Sequence, residues 1–139
     1  MRFSPRTQSA STGSPVAELY VAARRTTTAP GKAADYARVH ARLPEAAADE
    51  LRGAGVVRWE IWQDGDRLFH RVESTRPYAE VIAELRSHPP ADPAWGALIA
   101  TLLSSEPGAD VMLPAVWGMD PDEQWGSHRS SDSPGSSTK

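Results

Sequence analysis

The stretch 56–73 limits this chain's folding options most. Two runs rich in β-branched and aromatic residues, 56–63 and 67–73, are separated by Asp64-Gly65-Asp66. A glycine between acids supplies the backbone conformation that a tight antiparallel turn needs, so the two runs are expected to form a hairpin. Strand side chains alternate between faces. Trp59 and Trp62, an odd step apart, must therefore point to opposite sides, whereas Leu68, His70 and Val72 share one. A hairpin is not stable alone, and the remaining elements must cover one of its faces.

Upstream, 19–28 (Leu-Tyr-Val-Ala-Ala-Arg-Arg-Thr-Thr-Thr) reads as a strand that stops at Pro30-Gly31. The segment 32–52, rich in Ala, Glu and Arg, reads as a helix that leaves through Gly53 and Gly55. Downstream, a helix over 78–87 is halted by Pro89-Pro90. Another over 93–104 opens behind Asp92 as N-cap, with Pro93 in its first turn. A last strand over 111–119 is interrupted by Pro114, which suits an edge or a bulge. The order strand, helix, strand, strand, helices, strand gives an α+β, ferredoxin-like antiparallel four-stranded sheet with helices on one face. Its other face is left bare, and a second copy could cover it in a homodimer.

The folded unit is expected over 18–120. Residues 1–17, with Ser, Thr, Pro and Gly in quantity and no acid, and 121–139, with Ser, Asp, Gly and Pro around Trp125, read as disordered tails. A formal charge of −3 with the two signs interspersed offers no basic stripe, so no nucleic-acid partner is expected. The absence of cysteine excludes a disulfide framework, a thiolate nucleophile and a cysteine-based zinc site. No apolar run approaches the roughly 18 to 20 residues that cross a bilayer, and no apolar signal-peptide centre is present. A cytoplasmic protein that does not engage a membrane is the expectation.

Candidate chemistry lies in 34–45, Ala-Asp-Tyr-Ala-Arg-Val-His-Ala-Arg-Leu-Pro-Glu. On a helix Tyr36 and His40 are one turn apart and address the same volume. Pro44 has no N–H, and its ring crowds the carbonyl of His40, so a kink is expected beside the histidine. Imidazole, with an ordinary pKa near 6.5, exchanges protons around neutrality, and a phenol near 10 serves as a donor or relay. Neither a phosphate-binding glycine loop nor a metal-ligand cluster is present in the sequence, and no cofactor or metal is expected.

The chain resembles the L-rhamnose mutarotase family over nearly all of the folded segment. The likeness rests on several pieces of sequence: Pro30-Gly31 followed by Tyr36, Arg38, His40 and Pro44-Glu45; the hairpin from Trp59-Glu60-Ile61-Trp62-Gln63-Asp64-Gly65 into Leu68-Phe69 and Val72-Glu73; Trp95; and Val116-Trp117. It implies a dimeric α+β barrel that interconvert sugar anomers, with His40 and Tyr36 as acid/base groups and Trp95 packed against the sugar. Arg38, Glu45, Arg24, Trp59, Trp62 and His70 are further candidates for binding a small-molecule substrate. Anomer exchange needs only an acid and a base.

Some positions depart from that pattern. Leu43 stands where the family usually has Trp, Gly96 follows Trp95 in place of an aromatic, and Leu98 replaces a Tyr. Arg24, Thr26 and His70 put polar groups on a sheet face, where they must line a wet cavity or bond to one another. Two alternatives therefore stand beside the mutarotase reading. One is a tailoring enzyme of natural-product assembly, a cyclase or isomerase of an aromatic or polyketide-like intermediate. The other is a non-catalytic small-molecule-binding module. Arg38 and Glu45 also read as solvated helix charges.

Overall fold

The computed structural model describes residues 18–126. The expected tail 1–17 and the end of the chain from 127 lie outside the described residues. The elements in order are β1 (Tyr20–Thr27), α1 (Ala33–Val39), α2 (Glu45–Gly53), β2 (Val56–Asp64), β3 (Arg67–Ser74), α3 (Tyr78–Arg86), α4 (Pro93–Leu102) and β4 (Asp110–Leu113). A short hairpin of β5 (Trp117–Met119) and β6 (Gln124–Gly126) follows. The four longer strands form one antiparallel sheet in the order β2-β3-β1-β4, the expected ferredoxin-like arrangement.

The central hairpin closes with Asp64 paired to Arg67, so Gly65-Asp66 is its loop. Gly65 takes φ +61°, a region that residues with a Cβ seldom enter. From there the pleat dictates what is buried. Along β3 Leu68, His70, Val72 and Ser74 face inward and are buried. Strand register sets their neighbours: β1 places Arg24 opposite His70 and Thr26 opposite Leu68, while β2 places Ile61 opposite His70 and Trp59 opposite Val72. Tyr36 and Leu102 from the helices meet Leu68 on this face, with Val39, Ile61, Ile99 and Leu103 around them. Leu68 and Val72 retain 1% exposure and Val81 of α3 none, so each contributes about 1.5–3 kcal/mol of burial. On the outer face Trp62 stands opposite Phe69, and Phe69 opposite Arg25. Trp62 is 55% exposed, so the two tryptophans of β2 do point to opposite sides.

Three expectations are corrected. The single kinked helix over 32–52 is two helices. α1 ends with His40 as its C-cap, and α2 begins after Pro44, whose φ −57° and ψ 144° are extended. Pro44 cannot donate to the His40 carbonyl, and it disfavours a helical conformation at Leu43, so the chain breaks instead of bending. The last hydrogen bond before the break, His40 N–H to Tyr36 O at 2.8 Å, preserves the one-turn relation of the two rings.

The strand expected over 111–119 is also divided. β4 stops at Leu113, before Pro114, and Trp117–Met119 pairs with Gln124–Gly126 in a separate two-stranded sheet. The C-terminal boundary drawn at residue 120 is thereby moved outward, because regular structure continues to Gly126. Within this hairpin Gly118 faces Trp125, and a Cβ there would come within 2.6 Å of the indole. No helix among the described residues is long and apolar enough to cross a membrane.

Candidate functional site

A cavity of about 490 Å³ opens between the inner sheet face and the helices. β2 and β3 supply Trp59, Ile61 and His70; the break between α1 and α2 supplies His40 and Leu43; α2 adds Leu51, and α4 adds Trp95 and Ile99. Local sequence explains how α4 presents its tryptophan. Asp92 Oδ1 accepts the Trp95 N–H at 3.0 Å, and Pro93 occupies the first turn, so the cap fixes the turn that carries the indole.

His40 lies between two rings. Tyr36 stacks on it with centroids 4.9 Å apart and planes 24° from parallel, and Trp95 meets it edge-on at 5.2 Å and 62°. Burial pushes the His40 pKa below its ordinary 6.5, partly offset by a hydrogen bond to its own backbone. The ring is therefore neutral at neutral pH, the form that can accept a proton. Among the described residues no other side chain hydrogen-bonds to it.

Tyr36 is 5% exposed and belongs to the core cluster, so it stands behind His40 and not on the cavity wall. Burial raises its phenol to about 12, with Arg24 pulling the other way. Its hydroxyl is thus held protonated as a donor, and it makes no hydrogen bond among the described residues.

His70 has a different setting. The Trp59 indole Nε1–H can only donate, and it points to His70 Nδ1 at 3.1 Å. Nδ1 must then be the unprotonated nitrogen, so Nε2 carries the proton and donates to Thr26 Oγ1 at 2.9 Å. Both contacts are diagonal across the strand pairs, a consequence of the register. Burial first, then the nearby Arg24 charge, push the His70 pKa down to about 4, against a smaller opposing pull from Asp110. With both nitrogens committed, His70 holds the orientation of Trp59.

Arg24 lies behind the same wall. Its Nη1 donates to Tyr78 Oη at 2.7 Å, and its Nε and Nη2 grip Asp110 Oδ1 and Oδ2 at 3.2 and 2.7 Å. The Tyr78 ring in turn meets Trp59 edge-on at 6.2 Å. Burial raises the Tyr78 pKa, with the Arg24 charge opposing.

His40, Trp59, His70 and Trp95 are brought together on one cavity. Arg38, Glu45 and Trp62 are not. Arg38 pairs with Asp35 at 3.2 Å and Glu45 with Arg42 at 2.9 Å, both in solvent, and Trp62 is on the opposite sheet face. Sequence reasoning missed Leu51, Ile61, Ile99, Tyr78 and Asp110. Ile61 and Ile99 had signals, two residues from Trp59 along a strand and four from Trp95 along a helix. Tyr78 and Asp110 had none, since they meet Arg24 across 54 and 86 residues. Among the described residues no group of three or more His, Asp or Glu is placed to hold a metal ion.

No curated protein matches the sequence. Several solved structures are similar to the chain at low identity. A protein described as an antibiotic biosynthesis monooxygenase, from Nitrosomonas europaea, is 13% identical with a TM-score of 0.46, over 81% of this chain and 92% of its own. Another so described, from Chloroflexus aurantiacus J-10-fl, is 15% identical with a TM-score of 0.47, over 74% and 98%. PA3566 from Pseudomonas aeruginosa is 14% identical with a TM-score of 0.44, over 78% and 91%. Nothing about the reaction follows from likeness at this level. The sequence match is of a different kind: the L-rhamnose mutarotase family profile aligns with residues 22–119, from β1 through β5 and across every residue lining the cavity. The chain belongs to the L-rhamnose mutarotase family.

Proposed function

We propose that the protein is an acid/base isomerase, in which His40 carries a proton between two positions of a sugar or a related small molecule. The observation that carries this reading is the setting of His40. It is neutral, faces the cavity, and is held between Tyr36 and Trp95. Its lowered pKa leaves the imidazole free to accept a proton, and Tyr36, stacked on it, keeps its hydroxyl protonated.

In anomer exchange, His40 takes the proton of the anomeric hydroxyl. His40 delivers that proton to the ring oxygen as the bond between the ring oxygen and the anomeric carbon breaks and the anomeric oxygen becomes the aldehyde carbonyl. The open aldehyde turns and recloses on its other face, and the proton returns. Tyr36 supports the imidazole by stacking on it, and the Trp95 indole covers the apolar face of the ring. No electron changes hands, and family membership supports this reaction in particular.

The test is anomer exchange of L-rhamnose at saturating concentration, followed by saturation-transfer NMR. Wild type should exceed buffer, and His40→Ala should return to the buffer rate. Exchange equal to buffer with wild type would reject the sugar reading, and a fully active His40→Ala would reject His40 as the proton carrier. The outer sheet face, with Trp62 and Val21 exposed, is read as the surface that a second copy covers. Sedimentation at micromolar protein should then give twice the chain mass, and a monomer would reject that assignment.

A further inference from the structure

The cavity is better matched to a substrate of narrower chemistry than a sugar. Each buried hydroxyl of a ligand needs a partner, because leaving it unpaired forfeits its bonds to water. A deoxyhexose ring brings several hydroxyls and a ring oxygen. Leu43, Leu51, Ile61 and Ile99 offer it nothing polar. The other wall residues offer less than their names suggest. Both nitrogens of His70 are committed, to Thr26 and to Trp59, and the Trp59 N–H is committed to His70. Arg24, the nearest permanent charge on that sheet face, is consumed by Asp110 and Tyr78. Polar capacity among the lining side chains thus comes down to the His40 imidazole and the Trp95 indole, whose rings meet edge-on at 5.2 Å. The rest of the lining is indole and aliphatic carbon.

We infer that this member of the family takes a flat, largely apolar carbonyl compound with an acidic C–H beside the carbonyl, its polar end at His40 and Trp95 and its plane between the aliphatic and indole walls. The inference rests on the proton-transfer reading of His40. The step balances without an oxidant or reductant. His40 takes the proton from the α-carbon, the C–H electron pair becomes the enol C=C bond, and the carbonyl π pair moves to oxygen, to which the indole Nε1–H of Trp95 would donate. The same proton is then returned to a different atom of the enolate to complete an isomerisation, or to the same carbon in simple exchange.

The probes are 2-tetralone, a flat ketone with an acidic C–H, 2-naphthol as the planar counterpart of its enol, and L-rhamnose. Affinities are measured by calorimetry, and exchange of the 2-tetralone α-hydrogens in D2O is followed by NMR, with wild type and His40→Gln. Wild type is expected to bind 2-naphthol at least about 100-fold more tightly than L-rhamnose, the scale set by leaving two or more hydroxyls unpaired. It should also accelerate exchange, and His40→Gln should keep the binding and lose the acceleration. L-rhamnose binding as tightly as 2-naphthol, or no binding of either flat compound, would overturn the substrate class while leaving the proton-transfer reading to the anomer assay. Tight binding of 2-naphthol with exchange no faster than buffer would support the ligand class and overturn the role of His40 beneath it.

Discussion

Replacing His70 with Gln should make the protein less sensitive to acid, and the size of the effect follows from the pleat. His70 is 7% exposed, accepts from Trp59, donates to Thr26, and has its pKa pushed down to about 4. In the unfolded chain the same imidazole titrates near 6.5. Between those values the unfolded state holds a proton that the folded state does not. Stability therefore falls as pH falls through the window. Above about 6.5 neither state is protonated, so His70 adds no pH dependence there, and below about 4 the loss is complete. A gap of about 2.5 at about 1.36 kcal/mol per pH unit makes the full loss about 3 kcal/mol, and about 2.5 kcal/mol of it falls between pH 7.5 and 4.5.

Gln is the informative replacement because it does not titrate, while its amide can still accept from Trp59 and donate to Thr26. Urea unfolding followed by circular dichroism, with both proteins at the same concentration and at both pH values, should show wild type losing about 2.5 kcal/mol more than His70→Gln. Groups that do not interact with residue 70 contribute alike in both proteins and cancel in the difference. Equal losses would refute the reasoning, as would an NMR titration that places the His70 ring in the folded protein near 6.5.

Leu68→Ala, at a site 1% exposed beneath Tyr36 and Leu102, should lower the unfolding free energy by about 3 kcal/mol in urea titrations. Gly118→Ala forces a Cβ against the Trp125 indole at 2.6 Å, so amide exchange over 117–126 should accelerate while the thermal midpoint of the domain stays in place. Because burial lowers the His40 pKa, kcat/KM for any proton transfer it performs should rise with pH and level off with a midpoint below 6.5. A midpoint at or above 6.5 would place that titration on another group.

The parts of the fold that could be read in advance are those fixed by neighbours in sequence. The glycine turn at 65, the Asp92 cap with Pro93, and the alternation along β3 each depend on a few adjacent residues, and the structure has them at those positions. The elements misjudged were the two interrupted by proline. At Pro44 and Pro114 the missing N–H is plain in the sequence, but whether the chain kinks or breaks depends on what the following residues can pair with. After Pro44 the chain starts a new helix within one residue. After Pro114 a hairpin partner lies only a few residues away, at Gln124–Gly126, and it claims Trp117–Met119 from the main sheet.

The site divides along the same line. Tyr36 and His40 are one helical turn apart, so their stacking required only local geometry, and the break at Pro44 comes after the bond that holds them together. The meaning of Arg24, Thr26 and His70 required the strand register. From the alternation alone, three polar side chains on an inner sheet face could either line a wet cavity or satisfy one another. The register decides for the second: Thr26 and Trp59 flank His70 diagonally, and Arg24 turns to Asp110 and Tyr78. A sheet face that looks chemically rich in sequence is thereby spent on its own hydrogen bonds. Of the titratable groups on the cavity wall, that leaves His40 free of other side chains' hydrogen bonds, facing a largely apolar volume. The polar residues of the strands thus leave His40 as the titratable group on that wall without a side-chain hydrogen-bond partner among the described residues.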